Sequence, residues 1–142
     1  MLRDEEFVHA DCVWLDRRFV AYRVVDDAVV LDEHVELDTS ARVDACATFT
    51  RQIDGVTYGG GESAGHGSYG FFFKRGTAGL DWALFSYDAD PFIDVEVGQT
   101  QVRFRSQSGD EWIVEGDAVG RTRIERAPSD WWTRTGAASE RR

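Results

Sequence analysis

Apolar and polar residues alternate with a period of two along much of this chain. Between residues 29 and 37 the apolar positions include Val29, Leu31, Val35 and Leu37, and the polar positions include Asp32, His34 and Glu36. Successive side chains of a β-strand point to opposite sides, so this alternation predicts a strand with one buried face. Residues 19–25 are rich in β-forming residues as well, and Asp26-Asp27 is predicted to be the turn of a hairpin between the two strands.

A second hairpin is predicted around Asp54-Gly55. Residues 43–50 alternate in the same way, and Asp-Gly favours a two-residue turn because both of its positions need positive φ. Val56 begins the return strand. The glycine-rich run from Gly59 to Gly67 follows, and it is predicted to be a mobile loop because it has few side chains to pack. This run lacks the Gly-Lys-Ser/Thr ending of a phosphate-binding loop.

The later part of the chain contains short apolar runs that are separated by turn residues. Strands are predicted at residues 69–74, 80–87, 92–97, 101–106, 111–115 and 122–125, and Phe71-Phe72-Phe73 is apolar on both faces of its strand. Residues 4–15 fit a strand as well as a helix, and we predict a strand. Close turns and scarce helix indicate a mainly-β fold, an antiparallel β-sandwich or small β-barrel of about 8–10 short strands. The domain is predicted to span residues 1–126, followed by a polar, loose tail over residues 127–142.

The composition is that of one ordinary domain. With 142 residues, 42% of them hydrophobic, the chain is long enough to build its own core. Cys12 and Cys46 are too few for a disulfide framework and too far apart for a CxxC motif, so we expect two buried free thiols. No apolar segment resembles a signal sequence or a membrane span, so we expect a cytoplasmic location and no membrane partner.

The charge is strongly negative and unevenly distributed. The net charge is −10 at pH 7, and the first 60 residues alone carry 13 acidic and six basic side chains. Residues 101–126, in contrast, carry five of each kind. A negative field repels phosphate backbones and attracts cationic surfaces, so we expect a basic protein partner and no nucleic acid.

No motif for catalysis or metal binding stands out. Asp32, His34 and Glu36 would share one strand face, but positions two apart are separated by about 6.8 Å along a strand, so the three cannot converge on one ion. Cys46 could act as a nucleophile with one of the three histidines as its base, yet nothing in the sequence brings such a pair together. We therefore expect no catalytic residue, no metal and no cofactor, and the sequence favours a protein that is not an enzyme.

Four arginines recur with a spacing of two in the last strands: Arg103, Arg105, Arg121 and Arg123. If the two strands are neighbours, the guanidinium groups could hold a carboxylate or a phosphate. The other interpretation, which we favour, is cross-strand pairing with the protein's own acids, such as Glu115 and Glu125.

Small size, acidity and the absence of catalytic motifs resemble the profile of bacterial immunity proteins, which are dedicated inhibitors that cover the active site of a basic toxin. The resemblance is one of composition, and it implies a non-catalytic protein-binding function. An acidic face would steer the cationic partner, and exposed aromatic residues would anchor it. The partner-binding residues that we predict are Asp26, Asp27, Asp32, Glu33, Glu36, Asp38, Trp131 and Trp132.

A function of another class is the alternative: a small-ligand-binding β-barrel, with or without enzymatic activity. Its lumen would have aromatic walls and an arginine as polar anchor. The residues predicted for this site are Trp82, Tyr87, Arg103, Arg105 and Trp112. An empty interior would favour this alternative, and a packed interior would speak against it. A third alternative is self-association through an edge strand.

Overall fold

Strands dominate the structure. The computed structural model describes residues 6–8, 10–38, 42–63, 69–87 and 89–128. The strands are β1 (Glu6–Val8), β2 (Cys12–Leu15), β3 (Arg18–Val25), β4 (Ala28–Asp32), β5 (Arg42–Ile53), β6 (Val56–Ser63), β7 (Gly70–Gly76), β8 (Gly79–Ser86), β9 (Phe92–Val97), β10 (Gln101–Ser106), β11 (Glu111–Glu115) and β12 (Arg123–Glu125). The helical content of the described residues is one 3₁₀ turn at Val119–Arg121, and no helix among them is long and apolar enough to cross a membrane. The prediction of a mainly-β, antiparallel fold with little helix is confirmed.

Neighbouring strands are antiparallel and form one curled sheet. Its order is β1-β5-β6-β7-β8-β2-β3-β4-β12-β11-β10-β9. At one edge, β9 packs against β5 and β6, which lie near the other edge, and Arg51 of β5 lies 3.8 Å from Asp94 of β9. The sheet therefore closes almost completely on itself and is barrel-like.

Two-residue turns fold the chain into hairpins, as the sequence predicts. Asp26 (φ 51°) and Asp27 (φ 58°) join β3 to β4, and Asp54 (φ 51°) and Gly55 (φ 80°) join β5 to β6. Positive φ at both central residues matches the twist of the flanking strands. A third turn of this kind, Asp16-Arg17 between β2 and β3, is not among the predicted turns.

Aromatic rings fill the interior of the barrel around Phe72. The Phe72 ring stacks on Phe104 with a centroid distance of 4.1 Å and meets Phe92 edge-on at 5.0 Å. Trp82 and Trp112 complete the shell at 6.1 Å and 6.5 Å. All five side chains are at most 2% exposed. Ring pairs in these arrangements add roughly 0.5–1.5 kcal/mol each beyond the burial of their area.

A second apolar cluster lies on the opposite face of β2, β7 and β8. Its buried members include Cys12, Phe71, Phe73, Ala83 and Phe85. The middle of β7 is therefore covered on both faces, which is the reason for its continuous apolar run. The prediction made from the three consecutive phenylalanines is confirmed.

The first part of the glycine run is a buried strand, so the prediction of a mobile loop is wrong for it. Residues 59–61 lie in β6 and pair with both β5 and β7. A Cβ atom on Gly61 would lie 2.1 Å from the carbonyl oxygen of Cys46. Glycine is needed there because the neighbouring backbone approaches too closely for a side chain. The rest of the run, residues 64–67, lies outside the described residues.

Two strands replace the single one predicted over residues 4–15. β1 pairs with β5, whereas β2 lies between β3 and β8. The chain bends at Ala10-Asp11 between them. The two halves of the alternating segment therefore pair with different strands of the sheet. This division helps to bring the number of strands among the described residues to twelve, above the predicted number of about 8–10.

The 3₁₀ turn closes one end of the interior. Val119 is fully buried and belongs to the apolar interior. Thr122 is buried as well, and its hydroxyl donates a 2.6 Å hydrogen bond to the Val119 carbonyl. A Cβ atom on Gly120 would lie 2.7 Å from Leu31 of β4. The turn therefore packs directly on the last part of β4.

Replacing Gly61 with alanine is expected to lower the free energy of unfolding by about 1–3 kcal/mol, because the new methyl group overlaps the Cys46 carbonyl. Gly76→Ala is the matched control, since the atom nearest to its Cβ is a carboxylate oxygen of Asp81 at an ordinary 3.4 Å. Its effect should stay within about 0.5 kcal/mol. Urea unfolding of both variants measures the difference. Equal stability of the two would contradict the placement of Gly61 in a central strand.

Candidate functional site

One end of the barrel brings together charged side chains from distant parts of the chain. Lys74, Trp82, Leu15 and Arg18 occupy one row across the neighbouring strands β7, β8, β2 and β3. Neighbouring strands are about 4.8 Å apart, so the row spans roughly 14 Å. We call this end of the barrel the Lys74 end. The turns between β9 and β10 and between β11 and the 3₁₀ turn also lie there.

The ammonium group of Lys74, the sole lysine of the chain, is held at the mouth of the barrel. Its Nζ donates to both carboxylate oxygens of Asp117, at 2.7 Å and 2.9 Å, and lies 3.9 Å from Asp81. The indole N–H of Trp82 donates to Oδ1 of Asp117 at 3.4 Å. The lysine side chain is 13% exposed, whereas that of Asp117 is 60% exposed. A carboxylate at the surface therefore compensates a largely buried cation.

The surroundings favour the protonated form of Lys74. Burial acts against the charged ammonium and lowers its pKa. The hydrogen bond to Asp117 and the negative charges of Asp117 and Asp81 act in the opposite direction, and the net effect raises the pKa of Lys74. At neutral pH the lysine is therefore a cation that positions Asp117.

A surface groove opens beside Lys74. It has a volume of about 330 Å³, and its lining includes Tyr58, Lys74, Asp117, Val102 and the turn at residues 98–101. A second groove of about 380 Å³ adjoins it at Thr100 and Gly116, and its lining includes Arg121 and Arg123. Volumes of this size lie at the lower end of the range of about 300–1,000 Å³ that small-ligand pockets occupy.

The acidic residues that follow β4 lie at the same end of the barrel. β4 ends at Asp32, and the chain turns at Glu33 and His34 instead of continuing as a strand to residue 37. Oδ1 of Asp32 accepts a 3.2 Å hydrogen bond from the backbone N–H of His34, which stabilises the turn. The prediction that Asp32, His34 and Glu36 share one strand face is therefore wrong. Arg18, the last residue of the Lys74 row, forms an ion pair with Glu33.

The six predicted partner-binding acids fall into two groups at opposite ends of β4. Asp26 and Asp27 form the turn before this strand, and Asp27 lies 3.1 Å from Arg126. The other group follows the strand about 14 Å away and consists of Asp32, Glu33, Glu36 and Asp38. We call residues 32–38 the acidic segment. The predicted aromatic anchors, Trp131 and Trp132, lie outside the described residues.

Arginines of the last strands are paired with carboxylates of the same strands. Arg103 lies 2.8 Å from Glu111 and 3.2 Å from Glu125. Arg123 lies 2.7 Å from Glu125 and 3.3 Å from Glu115. Three of these four contacts join different strands, as the sequence predicts, and the contact between Arg123 and Glu125 lies within β12. The charges of β10, β11 and β12 therefore compensate one another locally.

The residues predicted for a ligand-binding lumen do not converge on one cavity. Trp82 and Trp112 belong to the filled interior. Tyr87 packs with the second apolar cluster on the other face of the sheet. Arg103 and Arg105 form ion pairs, the latter with Asp94 of β9 at 3.1 Å. The five side chains therefore do not line a common cavity.

The cysteines are free thiols in two different environments. Cys12 is buried, as expected, but Cys46 is exposed, so the expectation of two buried thiols is wrong for Cys46. Ala45 and Ala47 occupy the covered face of β5, and the alternation places Cys46 on its other face. In the part of the chain that the structure describes, no three His, Cys, Asp or Glu side chains lie close enough to hold a metal ion.

The groove residues Lys74 and Asp117 are not among the residues predicted from the sequence. Lys74 carried one signal, because a single lysine that follows a strand core of three phenylalanines must place its charge near apolar surroundings. Its partner Asp117 is 43 residues away, and only the closure of the barrel brings the two together.

Comparison with known proteins assigns no relative to this chain. No protein-family model, no curated protein and no solved structure shows a significant match.

Replacing Glu125 with glutamine tests the ion pairs of the last strands. Hydrogen bonds from Arg123 and Arg103 lower the pKa of Glu125 from its ordinary value of 4.5. Its stabilising charge is therefore present above that value and is lost as the pH falls through the lower pKa of the folded state. Between about pH 5 and pH 3, the wild-type protein should lose more thermal stability than Glu125→Gln.

The control for this experiment is Asp90→Asn, which removes an exposed carboxylate just before β9. It should follow the wild-type curve after a constant offset. A Glu125→Gln curve that runs parallel to the wild-type curve would contradict the role of the ion pairs.

Proposed function

We propose that this chain is a non-catalytic binding domain that holds a basic protein partner on its acidic segment. The main support for the proposal is that the charges of the last strands are paired with one another, whereas the acidic segment keeps an excess of negative charge. Arginines of β10 and β12 pair with carboxylates of β11 and β12, whereas the acidic segment has four acids within seven residues. Glu33 pairs with Arg18, but Glu36 is exposed and has no cationic partner among the described residues.

The surface chemistry of the acidic segment supports protein binding. Glu33, His34, Glu36 and Asp38 are exposed. Val35 stands among them and is 49% exposed, one of the most exposed large apolar side chains of the described residues. Protein interfaces combine an apolar contact with a charged rim, and the charged rim raises the rate at which an oppositely charged partner is captured.

The class of partner follows from the sign of the charge. A negative surface selects a positive one, so a basic toxin or nucleic-acid-processing enzyme fits better than an acidic protein. The resemblance in composition to bacterial immunity proteins supports the same class. On this proposal the domain acts by covering the positively charged surface of its partner, and it performs no chemistry of its own.

The proposal is tested by immobilising the protein, exposing it to a lysate of its native host and eluting bound protein with a salt gradient. We expect a retained protein of high isoelectric point that elutes as the salt screens the contact. The triple variant Glu33→Gln, Glu36→Gln and Asp38→Asn should bind this partner about tenfold more weakly, because three exposed ion pairs contribute about 0.5 kcal/mol each.

A matched triple variant keeps the total charge change constant. Asp44→Asn, Asp90→Asn and Glu96→Gln remove three exposed acids away from the acidic segment. Binding should remain within about twofold of wild type. If both triple variants lose the same amount of affinity, the effect comes from overall charge and not from the acidic segment. Capture of an acidic protein would overturn the proposal.

A further inference from the structure

The groove beside Lys74 contains the phenolic hydroxyl of Tyr58. Tyr58 is 8% exposed and lines the groove. Its hydroxyl forms no hydrogen bond with another described residue and interacts with the charge of Lys74. The hydroxyl oxygen keeps contact with solvent, because the fully buried, unbonded side-chain oxygen of the described residues is that of Ser63. A ligand group that reaches the groove can therefore gain by bonding to this hydroxyl.

The groove offers acceptors, while its one cation is already occupied. A carboxylate has about four acceptor sites. Asp117 uses three of them, for two contacts with Lys74 and one with Trp82, so one site on Oδ2 remains. The side chain of Asp117 is 60% exposed, which leaves this site open to a donor from outside.

The local charge favours a cation. Within this groove Lys74 contributes one positive charge, and Asp117 and Asp81 contribute two negative charges. Arg121 and Arg123 line the adjoining groove, and Arg123 is paired with Glu115 and Glu125. An anion would have to displace Asp117 from Lys74, whereas a cation meets a net negative charge without displacing any group. The pairing of Lys74 therefore decides which sign of ligand the groove accepts.

From these observations we infer that the groove receives the guanidinium group of an arginine side chain from the basic partner. Guanidinium has five N–H donors in a planar fork, so it can bond to the Asp117 carboxylate and the Tyr58 hydroxyl at the same time. A lysine ammonium group is more strongly hydrated and has no planar fork, so it fits these acceptors less well. The groove and the acidic segment lie at the same end of the barrel, and one partner surface can cover both.

The identity of the occupant rests on the proposed function, but the chemistry of the groove can be tested without a partner. The probe is N-acetyl-L-arginine amide, added to ¹⁵N-labelled full-length protein. The indole N–H of Trp82 is the reporter, because it donates to the same carboxylate. We expect saturable shifts of this signal and of the backbone signals of residues 98–101. N-acetyl-L-citrulline amide, which has the same shape without the charge, should bind at least tenfold more weakly.

Two variants assign the binding to the groove. Asp117→Asn should weaken binding of the arginine probe about tenfold, since it removes a charged acceptor; asparagine tolerates the φ of 65° at this position. Tyr58→Phe should weaken it about fivefold, the value of one hydrogen bond. Asp90→Asn removes the same charge at the other end of the barrel and should leave the affinity unchanged. The spectra themselves report whether each variant is folded.

Equal affinity for the arginine and citrulline probes, or unchanged binding by Asp117→Asn, would overturn the inference. This outcome is separate from failure of the proposed function, which is decided by the triple variants and the captured partner. If the partner is captured but the probe does not bind, the acidic segment acts without the groove. If the probe binds but the triple variants bind the partner equally, the groove is retained and the proposed role of the acidic segment fails.

Discussion

The stack of Phe72 on Phe104 at the centre of the barrel holds the two halves of the sheet together. Phe72 belongs to β7, the fourth strand in the sheet order, and Phe104 belongs to β10, the eleventh. The sheet can bury both rings only by curling until its edges approach each other. Each buried ring contributes about 1.5–3 kcal/mol. Because rings occupy the centre, polar chemistry is confined to the ends and the outer surface of the barrel.

Curling of the sheet has requirements elsewhere in the chain. β6 has glycine at residues 59–61, where neighbouring strands approach closely. A Cβ atom on Gly61 would lie 2.1 Å from the carbonyl oxygen of Cys46. The last strands carry their charges in compensated pairs, such as Arg123 with Glu125, so this side of the barrel attracts a charged partner only weakly. The surplus of negative charge is left to the earlier part of the chain. The acidic segment belongs to this earlier part of the chain. The groove beside Lys74 is lined by residues of the earlier and the later part.

Local chemistry made much of the fold predictable, and long-range closure accounts for what was missed. Asp26-Asp27 and Asp54-Gly55 specify their turns through φ, so both hairpins follow from the sequence. Gly59 to Gly61 resemble a loop because the need for glycine comes from strands that pair with β6 only after folding. The strand predicted to residue 37 ends at Asp32, since the Asp32 carboxylate bonds to the turn. Lys74 and Asp117 meet across 43 residues, and no local pattern encodes that contact.

A filled interior is the feature that separates a surface-binding domain from a small-ligand barrel. The most direct measurement is the uptake of xenon or benzene, followed through the NMR signals of the core. The wild-type protein should show no saturable uptake, and Phe72→Ala should acquire one apolar site, because this substitution removes the ring between Phe104 and Trp82. Saturable uptake by the wild-type protein would contradict the filled interior and would make the lumen the place to look for function.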